Sequence, residues 1–338
     1  MQPILHPLDL PLRHVFAISR GATHVCRTLI VELEQDGVSG YGEAGENPFY
    51  GATLENMQAA LEQVRTQLES MRLGDPAELW ESLRPRLGDH PFAQCALDIA
   101  AWDLWGKLHR QPVWKLWGLR IDGPLPLTNY TIGIDTIDVM VRKMNEFPGW
   151  PIYKIKLGTA DDLAIVRELR KHTASTFRVD ANCAWDAETA IRLSAPLKDL
   201  GVEFIEQPLP RDRWDEMREV VRRSALPIIA DESCGVESDV PRCRGCFHGI
   251  NVKLVKCGGL TPAKRMIEQG RQLGLKTMVG CMTESSVGIS AIAQLLPLLD
   301  YVDMDGALLL ARDAATGVRI DQGRIVYPAE HGCGVRLL

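Results

Sequence analysis

"IYKIKLG", residues 152–158, is the stretch on which the fold turns. Its apolar residues suit a buried strand, yet Lys154 and Lys156 stand two apart, and on a pleated strand that spacing aims both ammonium groups at one face. The run is one of eight. "LTNYTIG" (127–133) precedes it; "FRVDAN" (177–182), "VEFIEQP" (202–208), "PIIADES" (227–233), "GINVKLVK" (249–256), "KTMVGCM" (276–282) and "YVDMDG" (301–306) follow, with amphipathic helical stretches between. Eight β-rich runs alternating with helices describe a (β/α)8-type barrel.

The polar residues that end these runs carry the functional argument. Thr131, Lys156, Asp180, Glu206, Asp231, Lys253, Cys281 and Asp303 are 25, 24, 26, 25, 22, 28 and 22 residues apart, one strand-helix unit each time. In such a barrel the C-terminal ends of the strands meet at one mouth, so these residues are expected to converge. Asp180, Glu206 and Asp231 then form three carboxylates on consecutive strands, whose repulsion calls for a cation. Hard oxygen ligands with room left for water and substrate describe Mg2+, one ion per chain.

Lys156 and Lys253 fall on the second and sixth strands, across the barrel from each other. A metal between two opposed amines suits removal of a proton α to a carboxylate and its return on the other face. A base must be partly neutral, and a neighbouring ammonium favours that state. Lys154 is therefore expected to depress the pKa of Lys156 while contacting the substrate carboxylate.

The barrel is expected over 121–320, after an α+β capping domain over 1–120. Within the cap, 25–43 reads as two strands joined at Asp36-Gly37, and helices are expected over 52–72, 76–87 and 92–109. Residues 321–338 are expected to return to the cap. With 338 residues, 46% hydrophobic and 24% charged, the chain has ample material for such a core. A formal charge of -6 with scattered Lys and Arg leaves no footprint for nucleic acid or an anionic membrane. No apolar run reaches the length of a membrane span and no signal peptide is visible, so a cytoplasmic protein, assembled as a homo-oligomer, is expected. The nine cysteines are odd in number and irregular in spacing, and read as reduced thiols. Cys243, Cys246 and His248 in "CRGCFH" lack a fourth ligand nearby for zinc.

"KIK" (154–156), "DAN" (180–182), "IEQP" (205–208), "ADES" (230–233) and "NVKLVKCGG" (251–259) together resemble the enolase superfamily, and within it the muconate lactonising enzyme subgroup. The resemblance extends to the cap, with "YGEAGENPFYG" (41–51). It implies catalysis by Lys156 and Lys253, with Lys256 structural. "YVDMDG" places Asp303 and Asp305 in a D-x-D that resembles dipeptide epimerases, where it would bind the substrate's free α-ammonium. Thr131 matches a substrate-touching position of those enzymes. Cys281 and Thr283, in "VGCMTE", are also assigned to substrate contact, although relatives often carry a small hydroxyl residue or glycine where Cys281 stands.

The expected activity is thus Mg2+-dependent epimerisation of a dipeptide, L-Ala-D/L-Glu or a related one. Arg20 is a candidate for an acidic C-terminal side chain; Phe16, Ile18 and Phe49 could instead line an apolar pocket. The alternative is an N-succinylamino acid racemase or o-succinylbenzoate synthase, acting without a free amine. A silent metal-binding scaffold would have lost a lysine or carboxylate, and none is missing.

Overall fold

The computed structural model describes all 338 residues. Eight short parallel strands form its centre: β4 (Tyr130–Ile132), β5 (Ile152–Lys156), β6 (Thr176–Asp180), β7 (Val202–Glu206), β8 (Ile228–Ala230), β9 (Gly249–Val252), β10 (Lys276–Gly280) and β11 (Tyr301–Asp303), hydrogen-bonded in sequence order. Each matches one of the eight runs. A parallel bridge between Thr128 and Val302 brings the last strand beside the first. Helices connect all seven successive strand pairs, but β11 leads into a 3-10 turn (Gly306–Leu309) rather than an eighth α-helix.

Ahead of the barrel lies an antiparallel sheet of β1 (Gln2–Ile18), β2 (Gly21–Gln35) and β3 (Val38–Gly45), followed by α1 (Leu54–Glu62), α2 (Arg65–Glu69), α3 (Pro76–Leu87) and α4 (Pro91–Leu108). The single helix expected over 52–72 is two helices. β1 was absent from the sequence reading because Pro3, Pro7 and Pro11 look like strand breakers. In the structure they sit at an edge. The Pro3 and Pro11 carbonyls accept from Arg65 Nη1 and Ala311 N, both at 2.8 Å, so this parity of β1 faces away from β2 and the missing N–H groups cost the ladder nothing.

α4 is apolar nearly all round and buried accordingly. It lies directly on β3 because Gly40 and Gly42 share a face; a Cβ on either would meet α4 backbone at 2.3 and 2.0 Å. The other side of α4 docks on the barrel. Asp98 accepts from Thr261 N and Oγ1, and Trp102 donates to the same hydroxyl. Glu43, at the far end of β3, accepts from Ser285 N, Ser285 Oγ and Gly288 N at the start of helix Ser286–Ala293. These contacts hold the β1–β2 turn over the barrel mouth. Near the C terminus, Cys333 N and the Val335 carbonyl bond to Asp103 and Lys107 of α4. All nine cysteines are free, and His248 Nδ1 accepts from Ile228 N.

Candidate active site

Parallel register sets the site. Lys156 pairs with Asp180 across β5–β6, and Asp180 with Glu206 across β6–β7. With Asp231, one residue past β8, these carboxylates present oxygens within 4.8 Å of one another, all buried. The backbone turns sharply beyond Asp180 and Glu206. Asn182 (φ 43°), Cys183 (φ 69°) and Gln207 (φ 34°) are left-handed, a strain that persists only where surroundings enforce it. Asn182 N donates to Asp180 Oδ1, and Gln207 Oε1 accepts from Asp231 N and Ser233 N. Asn251 donates to Glu206 Oε1 at 2.8 Å. Gln207 and Asn251 were missed by the sequence reading, although an asparagine inside an apolar strand is a signal in itself.

Burial and Asp180 push the Glu206 carboxyl up to about 7. Burial also works against Asp180 and Asp231, but Lys156 and Lys154 hold the first below the ordinary range and Lys253 and Lys256 hold the second well below it. A cluster of three hard oxygens whose third carboxylate resists ionisation lacks positive charge. Asp180, Glu206 and Asp231 fit a divalent cation.

The four lysines divide in two. Lys156 Nζ lies 2.7 Å from Asp180 Oδ2 and Lys253 Nζ 3.0 Å from Asp231 Oδ2, and both side chains line a cavity of about 580 Å³ between barrel and cap. Lys256 Nζ is enclosed by the Asp231 carboxylate and by the Asp231 and Cys234 carbonyls. Lys154 is enclosed: its Nζ lies 2.7 Å from Glu206, 2.7 Å from Asp303 and 3.2 Å from Asp180, and it is 1% exposed, beneath the cavity. Burial disfavours its charge, but Asp303, Glu206 and Asp180 override that and raise its pKa well above the ordinary value.

Thr131, Cys281, Thr283, Asp303 and Asp305 also line the cavity. The two aspartates are not on one strand face as their spacing implied: β11 ends at Asp303, and Asp305 stands in the turn beyond. Asp303 is bound by Lys154 and by Asn129 Nδ2 (2.7 Å), and despite burial these hold its carboxyl well below the ordinary range. Asp305 accepts from Thr131 N (2.5 Å) and Oγ1 (3.2 Å), and burial together with Asp303 pushes it up to about 8. Phe16, Ile18, Arg20 and Phe49 close the cavity from the cap. Arg20 is already paired, its Nη1 2.7 Å from Glu232 Oε1.

A barrel with ligands on its third to fifth strands and lysines on its second and sixth, under an α+β cap, is an enolase-type architecture. Residues 139–338 match the enolase C-terminal domain-like family and residues 6–118 the mandelate racemase / muconate lactonizing enzyme N-terminal domain. The chain belongs to this mandelate racemase / muconate lactonizing enzyme family of the enolase superfamily. It is 56% identical over 338 residues to an L-Ala-D/L-amino acid epimerase of Maribacter sp., covering 100% of this chain and 99% of the relative. To an L-Ala-D/L-amino acid epimerase of Flavobacterium johnsoniae it is 54% identical, covering 100% of both. A dipeptide epimerase of Cytophaga hutchinsonii, solved with Mg and the dipeptide D-Ala-L-Val, superposes with a TM-score of 0.94 at 25% identity, covering 100% of this chain and 96% of that one. No helix is long and apolar enough to cross a membrane.

Proposed function

We propose that this protein is a Mg2+-dependent dipeptide epimerase, inverting the α-carbon of the C-terminal residue by 1,1-proton transfer through an enediolate, on L-Ala-D/L-Glu or a related dipeptide. The observation that carries the reading is the opposition of Lys156 and Lys253. Their strands stand four apart in an eight-stranded barrel, so the two amines approach a molecule in the cavity from opposite faces. One removes the α-proton and the other returns a proton to the other face.

Asp180, Glu206 and Asp231 would hold one Mg2+, which when bound supplies Lewis-acid stabilisation of the developing oxyanion. Lys154 keeps Glu206 and Asp303 in fixed relation beneath. Asp303 and Asp305, at and just beyond the end of the last strand, would take the free α-ammonium of the N-terminal residue, helped by Thr131, with Cys281 and Thr283 completing the wall. The names of the similar proteins, dipeptide epimerases with alanine in first position, agree with that amine site. One ion per chain, a homo-oligomer and a cytoplasmic location belong to the same proposal.

Incubating a library of L-Ala-L-Xxx dipeptides in D2O should place deuterium, with inversion, at the α-carbon of the C-terminal residue. EDTA should abolish this and Mg2+ restore it. Exchange confined to the N-terminal residue, or full turnover in chelator, would overturn the mechanism. If N-succinylamino acids turn over as well as any dipeptide, the racemase alternative takes its place.

A further inference from the structure

The end of the cavity beneath the cap is built around one ion pair. Arg20 reaches down from the β1–β2 turn and its Nη1 donates to Glu232 Oε1 (2.7 Å) and to the Asn182 carbonyl (3.0 Å), with Ser19 Oγ on the same carbonyl. The Phe49 ring covers one face of the guanidinium at 4.3 Å. The Glu232 side chain is 1% exposed, against 29% for Arg20, so the carboxylate is the enclosed partner. Glu232 Oε2 and Asn182 Oδ1, though on residues that line the cavity, are themselves buried away from it. Arg20 Nε and Nη2 are donors without a protein partner.

From this arrangement, and resting on the dipeptide epimerase reading, we infer that the C-terminal side chain of the substrate is uncharged, a carboxamide or hydroxyl rather than a carboxylate. The charge of Arg20 is already matched. A substrate carboxylate would have to share the guanidinium with Glu232, bringing two negative groups together, or displace it and leave an enclosed carboxylate unpaired next to Asp231. A carboxamide or hydroxyl oxygen can accept from the free Arg20 donors without bringing a second negative charge to Glu232. The remaining cations on the cavity wall do not alter the balance. Lys156 and Lys253 are engaged with Asp180 and Asp231, and Arg27 faces Glu46, Glu55 and Asp9.

L-Ala-L-Gln and L-Ala-L-Glu are isosteric, so the ratio of their kcat/KM values on the full-length Mg2+-loaded enzyme isolates this one group. The wild type should favour the glutamine dipeptide by roughly tenfold or more. Glu232→Gln, which frees Arg20, should move the ratio toward glutamate by about the same factor. Arg20→Met, which leaves Glu232 unpaired, should move it further toward glutamine. A ratio measured on one preparation is insensitive to partial misfolding. Wild-type preference for L-Ala-L-Glu, or both variants within about twofold of the wild-type ratio, overturns the inference while leaving epimerisation intact. Turnover of neither, with no deuterium uptake across the L-Ala library, removes the epimerase reading and this inference with it.

Discussion

The barrel carries two lysines at each of two opposed strand ends, and both pairs divide in the same way by different routes. On β5 the residues are two apart on one strand; Lys154 is swallowed by three carboxylates while Lys156 keeps one. At β9 they are three apart, and Lys256, in the helical turn after the strand, folds back onto Asp231 and two carbonyls while Lys253 keeps one oxygen of Asp231. Spacing therefore does not decide which lysine lines the cavity. The number of acceptors around each ammonium does, because a buried charge stays where it is best compensated. Burial would lower the pKa of Lys253, but Asp231 outweighs it and the pKa is raised, so the proposed role of Lys253 as a base requires the charge of Asp231 to be engaged elsewhere.

The sharpest way to break this comparison is to remove each lysine in turn. Lys156→Ala or Lys253→Ala should lower the epimerisation rate by roughly 10²- to 10⁴-fold, the usual weight of a positioned acid or base. Each variant should still exchange the α-proton of the one stereoisomer that faces the surviving amine, read by NMR in D2O. A Lys256→Ala enzyme that is dead beside an active Lys253→Ala would reverse the assignment. Lys154→Met should behave differently: it leaves Glu206 and Asp303 enclosed and unpaired, and unfolding free energy should fall by about 3 to 5 kcal/mol in a denaturant titration. A loss within about 0.5 kcal/mol, the range of an ordinary surface substitution, would mean that it braces nothing.

Smaller effects probe the carboxylates on either side of Lys154. Changing Asp303 or Asp305 to Asn should cost about 1.5 to 3 kcal/mol of transition-state binding for free-amine dipeptides, roughly one to two powers of ten in kcat/KM, and nothing for an N-acylated substrate. Equal losses on both substrate types would indicate a structural role. A separate test is in pH. Asp305, raised to about 8 in the fold, favours the folded state most fully below its unfolded pKa of about 3.9, and that contribution is lost as pH rises through about 8. Asp303, held low, has the opposite sign: its contribution is present above the unfolded value and lost in acid. The melting temperature of metal-free Asp305→Asn should therefore fall less between pH 5 and 9 than that of the wild type. Parallel profiles would show that Asp305 ionises freely.

The strand ends were legible because a barrel repeats: a polar residue every twenty-odd positions is a one-dimensional image of one mouth. Side-chain partners were not, because Lys154 meets groups 52 and 149 residues further along the chain, Glu206 and Asp303, through closure of the barrel. Asp305 was misplaced for a local reason, since a strand that stops at Asp303 looks in sequence like one that continues. Arg20 read as a free partner for an acidic substrate side chain because nothing in the neighbouring sequence announces Glu232 beneath it.

The prolines of β1 have a consequence beyond its own hairpin. A free sheet edge is a template on which another chain can crystallise its own backbone, and that is how folded proteins seed fibres. Pro3, Pro7 and Pro11 fall on the outward parity, so an incoming strand would find no donor at every fourth residue, about 13 Å apart along the edge, and the Pro3 and Pro11 carbonyls are already taken by Arg65 and Ala311. The cap thus keeps a long ribbon without offering an adhesive rim.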